Sequence, residues 1–464
     1  MAMCTRKLTL CLAIAALVLS LAWPKTGSAA AEAGPVYTYF VMTNGLQVLL
    51  QEKHDLPLTG ITLAVNLGVK DETEASSGYT HLLEHMLLFG AGAAAADDMR
   101  LADFRSHGIA ANAHTDHDLM TFEVSCPASE STWALAGLQQ AVFSRSLDAK
   151  KLESEKRIIL EEILQLQDDP QFLGRLLLMQ QLFAGHAYGR SPFGDGSAIT
   201  RATIEDLQAF GNRFLVPGRC ALAVVGDFVL ADMEKRVRES WGGSIPADPA
   251  KTEIPFVNRL EKNVSRQVEL DVNESHLFIG WWAPDFNHSD RLALSLLTYV
   301  LGRGLNPLFY AALGGERRLA EQLDMSFVPM GLGGMVSLHV VLQQKNITAA
   351  KNEIAQFLSR ISAFKFGKED YPAVQQPYVV DFLQSAKNQM ARDSGDFAES
   401  ALNLSKASAR FLLLNRNPIG AGYLENVEKV EATDLRRVAA RYLSGKKTAL
   451  VAIVPLEKKR NEDR

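Results

Sequence analysis

A polar, proline-containing break divides this chain into two stretches that follow the same plan. Residues 242–255 read GGSIPADPAKTEIP, the composition of a connection between packed units. On its N-terminal side, strand-like alternation at Leu46–Leu50 and Gly60–Leu67 precedes a helical apolar pattern at 77–89. On its C-terminal side, Ser265–Val272 and Leu277–Trp282 precede a helical pattern at 290–301. The repetition predicts an α+β unit duplicated in one chain, with units at 36–243 and 256–456. A period above roughly 200 residues excludes a solenoid, whose repeats run to about 20–50 residues.

Composition narrows the function classes. Of 464 residues, 47% are hydrophobic and 22% charged, which excludes a disordered chain. Lys and Arg number 48 against 53 Asp and Glu, so no charge-driven nucleic-acid partner is expected. Four cysteines exclude a disulfide-dense scaffold. The one long apolar run is N-terminal, which excludes a polytopic membrane protein. Arg6 and Lys7, then the apolar run Leu8–Trp23, then Gly27–Ala31 follow the order of a secretory signal peptide. We assign residues 1–29 to it, with cleavage near Ala29 or Ala30; a retained N-terminal anchor is the competing reading. Cys11 follows Leu8-Thr9-Leu10, a poor lipoprotein box. The expectation is an exported, for instance periplasmic, protein with no stable membrane span after cleavage. Removing Arg6, Lys7 and Lys25 takes the net charge from −5 to −8. Cys126 and Cys220 remain, either paired or as buried thiols.

The informative stretch is 76–90, SSGYTHLLEHMLLFG. Ser76 or Ser77 can cap a helix start and Gly90 can end it. His81 and His85, four apart, project from one helical face, where two imidazoles can bind one Zn²⁺. Glu84 lies beside them and can take a proton from water. H-x-x-E-H is the inverted zinc-peptidase spacing; the alternative is a helix with two incidental histidines. A hydrolytic zinc needs a third protein ligand. Residues 155–163, EKRIILEEI, carry a helical apolar stripe at Ile158, Ile159, Leu160 and Ile163. Glu155 and Glu162 are seven apart, nearly in line along that helix. One can coordinate while the other supports a histidine from behind. An ordinary solvated acidic face fits the same residues.

From about Val41 to Val454 the chain resembles the pitrilysin/insulinase family of inverzincin zinc metallopeptidases, in particular the bacterial branch similar to mitochondrial processing peptidase. The resemblance is carried by His81–Leu87 and Glu155–Ile163. It extends to Gln167-Asp168-Asp169-Pro170, Gly185–Arg190 and Ala223–Asp227. It implies a fold of two homologous α/β-sandwich-like domains, each a mixed sheet with helices packed on it, the second non-catalytic. It implies one Zn²⁺ per chain on His81, His85 and Glu162, the last 77 residues after His85, with Glu84 as general base and Glu155 behind the ligands. Glu161 is the competing ligand, one helical step out of line with Glu155. It also implies that a peptide substrate adds to a sheet edge at Gly108–Thr115, touching Asn112 and Ala113. His114 and His117, three apart on a strand, point to opposite faces and read as ordinary surface residues rather than a second metal site. The family encloses its substrate in a chamber between two halves.

Two departures from the family pattern carry expectations. The second unit has no H-x-x-E-H in its helix at Leu292–Val300. Active relatives carry there an Arg and a Tyr seven apart that steady the substrate carbonyl; this chain offers Arg318 but Met325. A thioether donates no hydrogen bond. The implied protein is an exported zinc metalloendopeptidase acting on peptides or unfolded segments, as a homodimer or as a heterodimer with a homologous chain that supplies Arg/Tyr. A non-proteolytic scaffold subunit on the same fold is the competing reading. Gly331–Gly334 reads as a turn or strand kink, and Trp281-Trp282 as packing residues.

Overall fold

The computed structural model describes residues 36–88, 101–143, 147–243, 254, 257, 259–304, 307–314, 318–367, 381–415 and 423–456. The signal-peptide segment, Gly90, most of the linker and the charged tail lie outside the described residues.

The first sheet has six strands: β1 (Tyr37–Val41), β2 (Gln47–Glu52), β3 (Leu58–Val65), β4 (Ala110–Thr115), β5 (Met120–Pro127) and β6 (Cys220–Gly226). Their order is β1-β2-β6-β3-β5-β4. The second has five: β7 (Val264–Leu270), β8 (Ser275–Ala283), β9 (Gln322–Met330), β10 (Gly333–Leu342) and β11 (Ala449–Pro455), in the order β7-β11-β8-β10-β9. Among the described residues, the only parallel pair in the first is β2 with β6, and in the second β7 with β11. The second sheet therefore repeats β2-β6-β3-β5-β4 strand for strand, and β1 is an added edge. The duplication legible in the sequence is a duplication of topology.

The halves interlock. Helix Pro170–Leu182, between β5 and β6, packs on β8 and β11 of the other sheet. Helix Ala401–Asn415 occupies the equivalent place between β10 and β11, and packs on β3 and β6. Gly60 permits this approach, since a Cβ there would lie 2.4 Å from the Leu402 nitrogen. One face of each sheet packs on its own helices and the other on a helix from the opposite half. β3 does not alternate as expected for Gly60–Leu67: burial on both faces makes β3 and β6 (LTGITLAV, CALAVVG) near-continuous small and apolar runs.

Cys126 and Cys220 are separate buried thiols. Cys126 pairs with Thr59 and Cys220 with Val65 along β3. Six residues of strand put them about 20 Å apart at roughly 3.3 Å per residue, well beyond disulfide reach. Trp281 is buried in the second core, and Trp282 donates from Nε1 to the Val257 carbonyl at 3.2 Å. Gly331 and Leu332 form the turn between β9 and β10.

Candidate metal centre

His81 and His85 sit on the helix Tyr79–Leu88. Its N-terminus is capped from a distance: the Glu72 carboxylate accepts from the Gly78 and Thr80 amides at 3.0 and 2.9 Å. The expected serine caps are not used in this way; Ser76 Oγ instead accepts from the Thr73 amide at 2.9 Å. Burial pushes Glu72 up to about 7, against the two amide hydrogen bonds and Arg190, which favour its charge.

The third candidate ligand, a carboxylate, comes from helix Ala149–Gln167, started by the Asp148 side chain, which accepts from the Lys150 amide. Its inward line is Leu152, Glu155, Ile159 and Leu166, all buried, with half-exposed Glu162 on the same side. The expected apolar stripe is displaced, because Ile158 is 43% exposed. Glu161, the competing ligand, is exposed. Glu162 Oε2 lies 3.8 Å from His81 Nε2 and 3.7 Å from His85 Nε2. Ligand atoms of the three residues all fall within 4.8 Å of one another. Two ligand atoms on one tetrahedral zinc stand about 3.4 Å apart, so the cluster needs only a small contraction to fit.

The surroundings prepare these groups. Glu155 Oε2 lies 3.1 Å from His85 Nδ1, which directs Nε2 toward Glu162. Burial opposes a charge on His85, but the Glu155 hydrogen bond and the Glu162, Glu84 and Glu155 charges outweigh it and raise its pKa. His81 is pushed down to about 3 by burial, then by His85 and His114. It is therefore neutral near pH 7, as a ligand imidazole must be. Its ring stands edge-on to Phe193 at 5.0 Å, and its buried Nδ1 makes no full hydrogen bond among the described residues. The donor set, two imidazoles and a carboxylate, is that of a catalytic zinc site.

Glu84 is buried on the same helix and accepts from Thr115 Oγ1 at 2.6 Å. Burial raises its pKa, against His114, the Thr115 hydrogen bond and His85. Thr115 ends β4, the outermost strand of its sheet, which is paired to β5 alone among the described strands. The sequence reading missed Thr115. Its only signal was its place at the end of the edge motif. Asn112 is exposed on that strand, whereas the Ala113 side chain packs into the first core, so only the main chain of Ala113 can meet a substrate.

Other sequence expectations are corrected. His114 is half-buried and close enough to act on His81 and Glu84, and the His117 ring packs edge-on to Tyr188 at 5.7 Å. His117 lies in the turn after β4 and not on the strand, so the expected alternation does not apply to it, and neither residue is an ordinary surface residue. Arg318 and Met325 form no pair facing a common site. Met325 is fully buried in the second core, where a Cβ on Gly302 would meet its own Cβ at 2.4 Å. Arg318 is exposed just before β9, with φ 46°. The β9 pleat turns Met325 inward, so its thioether stands in for no substrate-facing hydroxyl.

Two mixed sheets with packed helices, a histidine-pair helix and a glutamate from a distant helix are the arrangement that the resemblance to inverzincin-type domains implies. Residues 47–196 match the family described as insulinase (peptidase family M16), and residues 201–378 match the peptidase M16 inactive domain. The chain belongs to the insulinase family. It is 23% identical to an uncharacterized zinc protease of Bacillus subtilis over 65% of this chain and 72% of that protein. It is 21% identical to the mitochondrial-processing peptidase subunit beta of Rattus norvegicus, over 90% of this chain and 84% of that one. The crystal structure of a protease from Helicobacter pylori has the same fold, with TM-score 0.78 and 19% identity over 91% of this chain and 100% of that one.

Proposed function

We propose that this chain is an exported zinc metallopeptidase that cleaves extended peptides or unfolded segments, acting as the zinc-bearing member of a two-chain assembly. The observation that carries the proposal is the convergence of His81, His85 and Glu162 beside a buried Glu84. His81, His85 and Glu162 would hold a zinc ion, which would supply Lewis acidity toward a peptide carbonyl and lower the pKa of an attacking water toward about 7. Glu84 takes the proton of that water and delivers it to the leaving amine. Thr115 fixes one Glu84 oxygen, which leaves the other for the proton. Burial raises the Glu84 pKa toward the working range of a general base. A peptide adds as a strand to the open edge of β4 and is held mainly by main-chain hydrogen bonds, with Asn112 on the exposed side.

Two observations support a second chain. The halves of this chain pack directly on one another through exchanged helices, which fits a family chamber formed between two chains rather than within one. One relative is itself named a subunit. Export rests on the basic, apolar and small-residue order of residues 1–31.

Glu84→Gln tests the chemistry. The variant is expected to keep about one zinc per chain while turnover of a quenched peptide falls by roughly 10²–10⁴. Bound zinc with unchanged turnover would overturn the assignment of Glu84 and favour a scaffold role. Sedimentation of the purified chain, with and without a homologous partner, tests the pairing. A monomer that cleaves at full rate, unaffected by the partner, would refute it.

A further inference from the structure

The two topologically equivalent hairpins, β4–β5 and β9–β10, meet turn to turn at the boundary between the halves. Asp118, in the first turn, is fully buried. Its Oδ1 accepts from Tyr188 Oη at 2.5 Å, and its Oδ2 accepts from the Gly331 amide of the second turn at 2.9 Å. Tyr188 Oη in turn accepts from the Leu332 amide at 3.0 Å. Two successive amides of the C-terminal half are thus satisfied by one buried carboxylate and one buried phenol of the N-terminal half. Asp116, two residues earlier, is gripped at 2.5 Å by Arg410 on the exchanged helix.

That turn also touches both sides of the proposed active site. Thr115, which holds Glu84, directly precedes Asp116. The Val69 and Lys70 amides donate to the Asp116 and His117 carbonyls at 3.2 and 3.0 Å. They tie the turn to the segment that ends at Glu72, the cap of the ligand helix. Gly68 is required by this approach, because a Cβ there would lie 2.6 Å from the Asp118 carbonyl carbon. Asp118 and Tyr188 contact neither the ligand cluster nor Glu84 among the described hydrogen bonds. The hydrogen-bonded connections from the Asp118 turn to the site run through Thr115 and the Val69–Glu72 segment.

We propose that Asp118 and Tyr188 are positioning residues through which the C-terminal half, lacking an H-x-x-E-H of its own, holds Thr115 in register with the ligand helix and so fixes the Glu84 carboxylate on that helix. The inference rests on the reading of Glu84 as the general base. It gives the C-terminal half a role in the reaction distinct from contributing a substrate contact.

A double-mutant cycle tests it. Tyr188→Phe keeps the ring and removes the hydroxyl; Thr115→Val removes the bond to Glu84. Each is expected to lower kcat about ten- to a hundredfold, with KM and zinc content little changed. Thr115→Ser is expected to restore turnover. If Tyr188 acts through Thr115, the double variant is no slower than Thr115→Val alone. Losses that multiply would overturn the proposal. Amide exchange over residues 115–119 gives a readout independent of activity: it is expected to rise in Tyr188→Phe with or without zinc, and unchanged exchange would refute the tie. Asp118→Asn, which keeps the volume and one acceptor, serves if Tyr188→Phe does not fold. If Glu84→Gln leaves turnover unaltered, the parent reading falls and takes this proposal with it, an outcome seen in that variant and not in the cycle.

Discussion

At the scale of single residues, the site divides into groups whose geometry is local and groups whose geometry is not. His81 and His85 share a face because one turn of helix separates them, whatever the rest of the chain does. Glu155 and Glu162 follow the same logic on their own helix, and both reach the histidines. Replacing Glu155 by Gln should leave the three ligands in place but loosen the orientation of the His85 ring. Zinc affinity measured by chelator competition is expected to fall about 10–100-fold. Glu72 offers a test of electrostatics. Its carboxyl binds a proton more tightly in the folded protein, with a pKa raised from 4.5 to about 7, mainly by burial. Its contribution to stability is therefore full below about pH 4.5, falls as pH rises, and levels off above about 7. Urea midpoints of Glu72→Gln relative to the parent protein should rise across that window. A difference that stays constant with pH would count against the assignment. Neither Glu72 nor Thr115 was legible in the sequence. Each acts on a partner whose position depends on how a loop or an edge strand packs against the ligand helix.

At the scale of elements, the exchanged helices decide how the sheets are covered. Helix Ala401–Asn415 approaches β3 closely enough that Gly60 meets backbone rather than side chain. Gly60→Ala should force strand and helix apart and cost about 1–3 kcal/mol, read from the urea midpoint and extrapolated stability. An unchanged midpoint would mean that the layer yields more readily than its packing implies. The polar pair Thr62 and Ser405, 2.8 Å apart, and the ion pair of Lys406 with Glu123 at 2.7 Å fix the register of the same helix on the sheet. The apolar patterning of the sequence located β2, β3, β7 and β8 to within a few residues, although β3, buried on both faces, does not alternate. It misplaced the buried line of helix Ala149–Gln167, where Ile158 faces solvent and the carboxylates of Glu155 and Glu162 face inward. Apolar periodicity cannot anticipate that a polar site will claim the inner face of a helix.

At the scale of the whole molecule, the interlocking makes each half depend on the other. Residues 36–243 expressed alone would leave uncovered the face of the first sheet that Ala401–Asn415 buries. That fragment is expected to be unfolded or aggregated by sedimentation and circular dichroism, and co-expression with residues 256–464 should recover a soluble complex. A well-folded isolated half would show that the exchange contributes little to stability. By itself the sequence determined that the chain repeats an α+β unit, that two histidines share a helical face, and that a glutamate two turns beyond another lies in line with it. These are properties of short-range periodicity, set by 3.6 residues per helical turn and two per strand. Only the tertiary structure decided that Thr115 holds Glu84, that Met325 is buried core, and that Cys126 and Cys220 stay apart. Those outcomes depend on which faces of distant segments are brought together, and that is set by packing across the whole fold rather than by any window of sequence.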